Sequence, residues 1–359
     1  MFSTYIIYNS ILILSFFFSF LYSILKKTNI FLPLCIFLTL LIPASLRYGI
    51  GTDYFSYIGI LEHARNGGIT TEFGYYIINF IVVYLNLNSQ YIFIISGFII
   101  YFNIILSSVM ISKKYFAISI LVLVCSFYLL SYSLLRQAIA ISFIAVAISL
   151  YARQRFILFT VLTIVGSSFH FSVISILAFP LFSFIPIKRN FLILFTILFS
   201  IIILNTNILT TIMSSDIFAM TKYGYYINTK FGGEAKINTG LGVLIKCIVP
   251  ILVVIYSREI YSLNKNYSII IYLSVGSILA NAASTQIHIF NRLSDIFSFL
   301  SFLSIPILLM SIKNVITRYF IVFFIMGLFI SLYERTIFTN LSSNNSGLGV
   351  TPYTTIFDR

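Results

Sequence analysis

Charged residues are scarce in this chain: they make up 9% of its 359 residues, whereas 60% are hydrophobic. The mean hydropathy is +1.04, and a soluble domain of this size could not bury so much apolar surface. Apolar runs of roughly 15 to 22 residues recur along the chain, and a helix needs about 20 to cross a bilayer. Barrel strands would be shorter and would alternate. The sequence therefore predicts an all-α, polytopic integral membrane protein.

Paired cysteines and nucleotide-binding motifs are also missing. Cys35, Cys125 and Cys247 each stand alone in an apolar run, which favours neither a disulfide framework nor a metal site. The sequence contains no P-loop, no metal-binding motif and no Gly-x-Ser-x-Gly elbow. Chemistry on soluble nucleotide sugars is therefore disfavoured, and we expect neither a metal nor a cofactor.

Acidic residues are nearly absent from one set of connectors between the apolar runs. Pairs of basic residues fall in alternate connectors, at Lys26/Lys27, Lys113/Lys114, Arg153/Arg155, Lys188/Arg189, Arg258/Lys265 and Lys313/Arg318. The positive-inside rule assigns these connectors to the cytoplasm. Because the net charge of +13 is spread in this way, we expect no nucleic-acid partner. Eight of the nine acidic residues and all three histidines lie in the other, outer connectors, so acid–base chemistry is expected there.

The same charge pattern predicts a single membrane domain, residues 1–359, with both termini outside and about twelve crossings. The crossings are expected at 5–25, 30–46, 91–112, 115–135, 137–152, 155–169, 171–187, 191–207, 241–257, 267–287, 293–311 and 319–333. We expect an outer loop with an amphipathic helix over 47–73 and an outer hydrophilic loop over 208–240. Residues 74–88 are too short to span comfortably, so we interpret them as a re-entrant segment or a short helix.

The first outer loop begins with a dense group of polar residues and glycines. Arg47 precedes Gly49 and Gly51, which permit a close backbone approach, and Thr52 or Asp53 can cap an amphipathic helix. The helix N-terminus beside Arg47 is suited to an anionic oxygen. Alternatively, Arg47 anchors the second crossing at lipid headgroups and Asp53 is only a cap.

Four further polar residues lie at the outer ends of apolar runs. Glu72 is either a general base or a helix-start acid, and Arg136, followed by Gln137, is either a site residue or a snorkelling arginine. His170 lies between two apolar runs without a titratable neighbour in sequence, and an ionisable group at membrane depth indicates function. The alternative for His170 is a turn held by hydrogen bonds to adjacent serines.

Two later segments add candidates. Arg292 and Asp295 are three residues apart on one helix face, where they either form a simple salt bridge or belong to a site. The long outer loop carries Lys222, Tyr223 and Tyr226, and tyrosines beside lysines suit sugar rings and acidic groups. The same tyrosines equally fit an interfacial aromatic belt.

Taken in order, these motifs resemble the EpsG branch of the Wzy-type polysaccharide polymerases. The matching elements are R-x-G-x-G-T-D-Y from Arg47, E-x-G-Y from Glu72, R-Q-x-x-A from Arg136, H-F-S from His170, Arg292 ahead of Pro306, and P-Y at Pro352. The resemblance covers most of the chain and depends on the order and spacing of the motifs. The family usually has proline where this chain has Phe73.

The resemblance implies a C-type glycosyltransferase-like fold in the bacterial cytoplasmic (inner) membrane, with the active site facing the periplasm. Such an enzyme joins repeat units linked to undecaprenyl pyrophosphate into O-antigen or capsule-like polysaccharide. One lipid-linked glycan is the donor and another is the acceptor, membrane lipids surround both, and a chain-length regulator is left open as a further partner. An O-antigen ligase and a lipid-linked oligosaccharide flippase or transporter are the alternative functions.

The residues themselves fit such a transfer. Breaking a glycosyl–pyrophosphate bond requires positive charge on the leaving group, which Arg47, Arg136 and Arg292 can supply. The candidates for the base that deprotonates the acceptor hydroxyl are, in order of preference, His170, Asp53 and Glu72. Further substrate-binding candidates are Gln137, Lys222, Tyr223 and Tyr226. We expect a single displacement with inversion, without a metal ion.

Overall fold

The computed structural model describes residues 2–25, 30–68, 71–182, 188–215, 220, 224, 241–287, 290–342 and 347–358. This part of the chain is helical and contains no strand; an isolated bridge joins Arg47 to Thr355. The predicted all-α class is therefore confirmed.

The α-helices follow one another along the chain, with a π-helical turn extending one of them and a 3-10 helix preceding another. The α-helices are α1 (Phe2–Ile24), α2 (Phe31–Leu46), α3 (Tyr54–Arg65), α4 (Phe73–Tyr84), α5 (Gln90–Ile111), α6 (Phe116–Leu123), α7 (Leu135–Ala152), α8 (Phe156–Ser167), α9 (Phe179–Phe182), α10 (Arg189–Asn205), α11 (Ile208–Met213), α12 (Leu241–Ile255), α13 (Ser257–Leu263), α14 (Ser268–Ser284), α15 (Phe290–Phe299), α16 (Ser301–Ser311) and α17 (Val315–Ser342). The π-helical turn Val124–Tyr128 follows α6, and the 3-10 helix Phe171–Ala178 leads into α9.

Several helices are long and apolar enough to cross a membrane. In the described part of the chain there are five: Ser3–Ile24, Gln90–Ile111, Leu135–Ala152, Lys265–Ser284 and Val315–Thr339. A sixth arises if α15 and α16, which meet at a bend of 44°, form one span. The remaining apolar helices have 10–17 residues. The polytopic membrane class is thus supported, whereas the twelve crossings and the C-type fold stay predictions.

The segment expected to form crossings at 155–169 and 171–187 is shorter than a pair of spans. Helix α8 has 12 residues and rises only about 18 Å, against a hydrocarbon thickness of about 30 Å. At His170 the backbone is extended, with φ −154° and ψ 110°, so the chain turns and continues as the 3-10 helix. This short hairpin therefore holds His170 at a turn between two apolar arms.

The core lies around α7 and α14. In their most apolar windows 83% and 78% of the residues are buried, whereas only 17% are buried in α17, where Phe320, Phe323, Phe324 and Phe338 are exposed. Small residues allow close packing at α7: a Cβ on Gly166 of α8 would lie 3.1 Å from the Ala140 carbonyl oxygen. Helices α7 and α14 thus provide a rigid frame for residues at their ends.

The bundle has two chemically different ends. At one end, hereafter the site end, α2 terminates and α5 and α7 begin. At the opposite end, the Lys113 ammonium lies 5.2 Å from the centre of the Tyr22 ring, and the Arg153 guanidinium donates to the Met110 carbonyl at 2.8 Å. Arg189 of that end lies 3.8 Å from Glu259. The basic connectors that are described therefore gather at the end remote from Arg136, as the charge pattern predicts.

Residues 347–358, hereafter the tail segment, lie across the site end. The Gly51 amide donates to the Gly349 carbonyl at 2.8 Å, and the Tyr353 amide donates to the Thr4 hydroxyl at 2.9 Å. The tail segment thereby joins the start of α1 to the loop after α2, and the first and last described residues share one end of the bundle.

Candidate active site

Arg47 ends α2 and is enclosed by aromatic rings. Its guanidinium carbon lies 4.2 Å from the centre of the Tyr132 ring and 4.9 Å from that of Phe93, and Nη2 donates to the Tyr132 carbonyl at 3.3 Å. Its backbone carbonyl accepts from the Gln90 amide at 2.9 Å. The residue is only 2% exposed, so in this conformation its guanidinium offers no surface to a pyrophosphate.

The glycines after Arg47 adopt the backbone that the sequence predicts. Gly49 has φ +65° and Gly51 has φ +101°, both in the left-handed region that favours glycine. A Cβ on Gly51 would lie 2.5 Å from the Tyr132 carbonyl oxygen. The close approach expected of this loop therefore occurs against the turn that precedes α7.

Glu72, Arg136 and His170, which are far apart in sequence, meet at the site end. Arg136 Nη1 forms an ion pair with Glu72 Oε2, and His170 Nδ1 lies 4.0 Å from Glu72 Oε1. The side chains of His170 and Glu72 are 12% and 16% exposed, and that of Arg136 is 32% exposed. A nearly buried carboxylate therefore lies between an imidazole and a guanidinium that still reaches the surface. We refer to these three residues as the Glu72 cluster.

Backbone contacts hold Glu72 beside His170. Glu72 is the N-cap residue of α4, with φ −60° and ψ 146°. Two residues later, the backbone amide of Gly74 donates to the Ser168 carbonyl at 2.8 Å. A Cβ on Gly74 would lie 2.5 Å from Ser168 Oγ and 2.9 Å from the Phe169 ring. Only glycine permits this approach of α4 to the turn that carries His170.

The serines near His170 are engaged elsewhere. The hydroxyls of Ser167 and Ser168 donate to the carbonyls of Ile164 and Val165, both at 2.7 Å, within the last turn of α8. Donation of this kind satisfies helix-end carbonyls. The protons of these two hydroxyls are therefore not directed at the His170 imidazole, whose Nδ1 faces Glu72.

Gln137 connects the Glu72 cluster to α15. Its side-chain amide is 4% exposed and donates to the Arg292 carbonyl at 3.0 Å. Arg292 therefore lies beside the start of α7, next to Arg136 in space as well as in the predicted set. Its expected partner Asp295 instead accepts from Lys246 Nζ at 3.0 Å, so the acid is paired with α12.

Tyr57 is a functional candidate that the sequence does not single out, because it lies on the apolar face of α3. Its hydroxyl donates to the Ser133 carbonyl at 3.2 Å and accepts from the Leu135 amide at 2.9 Å, so it fixes the start of α7 just before Arg136. Burial raises the pKa of Tyr57, the charge of Asp53 raises it further, and Arg136 opposes both. Tyr57 thus lies within the electrostatic reach of both predicted site residues.

Asp53 lies at the start of α3 and is not one of the three residues of the Glu72 cluster. Asp53 is the N-cap residue of α3 but makes no capping hydrogen bond with its side chain; its carboxylate accepts from the Thr52 hydroxyl at 3.3 Å. Lys222, Tyr223 and Tyr226 lie outside the described residues.

Among the described residues no group of three or more His, Cys, Asp or Glu side chains is arranged to hold a metal ion.

Comparisons with known proteins agree with the motif pattern. The family model described as the EpsG family matches residues 30–355, which include every predicted site residue. No curated protein and no solved structure matches the chain. The match extends over most of the sequence, from α2 to the tail segment. The chain therefore belongs to the EpsG family, the family of Wzy-type polysaccharide polymerases.

Proposed function

We propose that this protein joins lipid-linked oligosaccharide repeat units into O-antigen or capsule-like polysaccharide. The growing glycan on undecaprenyl pyrophosphate is the donor, and a repeat unit on a second lipid carrier is the acceptor. One observation carries the proposal: in a chain of the EpsG family, an arginine, a carboxylate and a histidine from three separate segments lie together at one end of the bundle.

The transfer breaks the bond between the sugar anomeric carbon and the pyrophosphate oxygen and forms a bond from that carbon to an acceptor hydroxyl. Undecaprenyl pyrophosphate departs with the bonding electrons, and the hydroxyl proton goes to the base. Arg136 is suited to the departing anion, because its planar fork of donors is held by Glu72 on one side while a third of the side chain remains exposed. An arginine in this position takes over the charge neutralisation that other enzymes obtain from a metal.

His170 is the preferred base. Glu72 already directs one oxygen at Arg136 and the other towards Nδ1 of His170. A carboxylate on that side favours the tautomer that carries its proton on Nδ1 and leaves Nε2 to accept the acceptor proton. The separation of 4.0 Å is a charge contact, and such contacts often shorten when substrate binds. Glu72 then acts by positioning both neighbours, and Asp53 is the second choice as the base.

The remaining candidates support this arrangement. Gln137 positions Arg292 beside the Glu72 cluster, and Arg47 stabilises the frame from within its aromatic enclosure. Lys222, Tyr223 and Tyr226 contact the glycan. We further propose inversion at the anomeric carbon, independence of metal ions, twelve crossings with a C-type fold, and a site that faces the periplasm from the bacterial cytoplasmic membrane.

Deletion of the gene followed by glycan analysis tests the function. The deletion strain is expected to carry surface lipid with a single repeat unit. Long chains that remain on the undecaprenyl carrier would indicate a ligase, and a block of all outer-face repeat units would indicate a flippase. A normal distribution of long chains in the deletion strain would refute the proposed function.

Complementation with variants tests the site. His170→Gln is expected to leave single repeat units at normal protein levels, because it removes the base. His63→Gln, in the exposed last turn of α3, is the matched control and is expected to restore long chains. Full polymerisation by the His170→Gln variant would remove that residue from the chemistry.

A further inference from the structure

A cavity with polar residues in its wall lies beside α15. Its volume is about 280 Å³, and it lies between α12, α15, α17 and the π-helical turn after α6. Two cations and four hydroxyls line it: Lys246, Arg335, Ser126, Ser298, Ser301 and Thr336. A π-helical turn inside a membrane helix frequently marks a functional site.

An acid accompanies each cation of this cavity: Asp295 lies beside Lys246, and Glu334 precedes Arg335 in the sequence. Lys246 Nζ lies 3.0 Å from Asp295 Oδ1, so this cation is neutralised. The Arg335 side chain is exposed and forms no ion pair within the described part of the chain. A guanidinium without an ion pair suits a phosphate or diphosphate group.

The charged residues of the cavity wall lie nearer the site end than the apolar residues do. On α17, Arg335 lies at the site end, because the adjacent Glu334 accepts a hydrogen bond from the Tyr5 hydroxyl at the start of α1. Phe329, six residues earlier, lies about 9 Å deeper. On α12, Val249 lies about 4.5 Å deeper than Lys246, and both line the cavity. The cavity therefore has a cationic mouth above an apolar floor, which matches an anionic group carried on an apolar chain.

Helix α15 joins this cavity to the Glu72 cluster. The Arg292 carbonyl accepts from Gln137, the neighbour of Arg136, and three residues later Asp295 accepts from Lys246 at the cavity. The two cationic regions are thus separated by about one turn of helix along α15. A ligand in each would place two anionic groups beside one short helix.

We propose that this cavity binds the diphosphate and the first apolar segment of a second lipid-linked substrate, the acceptor. The inference rests on the proposed function, which requires two lipid diphosphates at once, whereas Arg136 serves only the one that departs. Arg335 donates to the diphosphate, and Val249 and Phe329 contact the chain. The acceptor sugar then extends over α15 towards His170.

Protection of an introduced cysteine tests the cavity directly. Ser126→Cys is placed in a chain whose three natural cysteines are serine, and its labelling by a small thiosulfonate reagent is measured in lipid nanodiscs. Farnesyl diphosphate is expected to slow labelling by about tenfold at saturation, which reports occupancy above 90%. Equal protection by inorganic pyrophosphate alone, or by phosphatidylglycerol, would overturn the proposal in favour of a free diphosphate or an ordinary phospholipid. Absence of protection would also overturn it.

Binding by the chain with its natural cysteines provides a second measurement that does not depend on the cysteine-free variant. Titration calorimetry with farnesyl diphosphate is expected to find two sites, of which Arg335→Gln weakens one by about tenfold and Arg136→Gln weakens the other. Arg318→Gln, an arginine of α17 at the opposite end, is the control and is expected to leave both unchanged. A single site that Arg335→Gln does not affect would overturn the proposal.

The two proposals fail separately. If deletion of the gene leaves polysaccharide length normal while farnesyl diphosphate still protects position 126, the polymerase function is refuted and the lipid diphosphate site stands. If position 126 is not protected while Arg136→Gln abolishes polymerisation, the second site is refuted and the function stands.

Discussion

Arg47 and Arg136 start from the same expectation and occupy opposite environments. Both are outer arginines suited by sequence to a pyrophosphate. Arg47 is 2% exposed and lies between the rings of Tyr132 and Phe93, whereas Arg136 is 32% exposed and paired with Glu72. Aromatic faces satisfy a cation without presenting it to a ligand, but a carboxylate on one side leaves the rest of the fork available.

The comparison shows that the partner decides the role of an arginine. Arg47 fastens the loop after α2 to the turn before α7, so its loss should affect folding. Arg136 stands at the edge of the Glu72 cluster, so its loss should affect chemistry while the bundle remains intact.

The largest expected effect is that of Arg136→Gln on catalysis. Removing a fixed positive charge from a departing anion lowers the rate by about 100-fold to 1,000-fold, or about 3 to 4 kcal/mol. Polymer length and rate would be measured with purified lipid-linked repeat units. Arg65→Gln is the matched control, because Arg65 lies on the exposed face of α3 beside Glu62. A thermal midpoint that falls with activity would contradict the separation of the two arginines.

The next effect is that of Arg47→Ala on stability. The variant loses contacts with two rings and a hydrogen bond to the Tyr132 carbonyl, and leaves a cavity, which together should lower the free energy of unfolding by about 3 kcal/mol. Thermal unfolding in detergent and the amount of protein in membranes would measure this. A stable Arg47→Ala protein that binds pyrophosphate poorly would instead assign Arg47 to the substrate.

A smaller effect separates two glycines of the same loop region. Gly51 and Gly67 both have positive φ, +101° and +81°, but only at Gly51 would a Cβ clash, at 2.5 Å from the Tyr132 carbonyl oxygen. Alanine at either position should cost about 1 kcal/mol from the backbone, and Gly51→Ala should cost about 2 kcal/mol more. Equal thermal midpoints of the two variants would show that the loop does not hold Arg47 against that turn.

The smallest effect concerns pH and the tail segment that covers Arg47. The hydroxyl of Thr355, and then its amide, donate to Asp358 and lower the pKa of this carboxylate. A lowered folded pKa stabilises the folded state above the unfolded pKa, and this contribution disappears as the pH falls through the folded value, below about pH 4. The protection factors for amide exchange of residues 350–356 would then fall in acid. Asp358→Asn should remove that dependence, and an unchanged acid profile would contradict the assignment.

Much of the site could be predicted residue by residue, but its pairings could not. The glycine pair and the isolated ionisable groups are local signals, so Gly51, Glu72, Arg136 and His170 are visible in the sequence. Their partners are set by packing between helices that lie far apart along the chain. For that reason a local rule pairs Asp295 with Arg292, whereas the fold pairs it with Lys246.

The aromatic enclosure of Arg47 could not be predicted either, because it also depends on packing between segments that lie far apart along the chain. Tyr132 lies 85 residues further along the chain, and hydropathy gives no indication that its ring meets a guanidinium. The number of crossings depends on packing in the same way: the charge pattern alternates regularly, but a helix as short as α8 does not span the hydrocarbon by itself.

The tail segment also imposes an order on biogenesis. Its contacts with Thr4 and Gly51 join residues about 300 positions apart or more, so this end of the bundle can close only after residues 347–358 have been synthesised. Until then the loop after α2 lacks its cover, and Arg47 depends on interim partners such as lipid headgroups or water. Slow membrane insertion of the later helices would therefore expose the half-built protein to quality-control proteases.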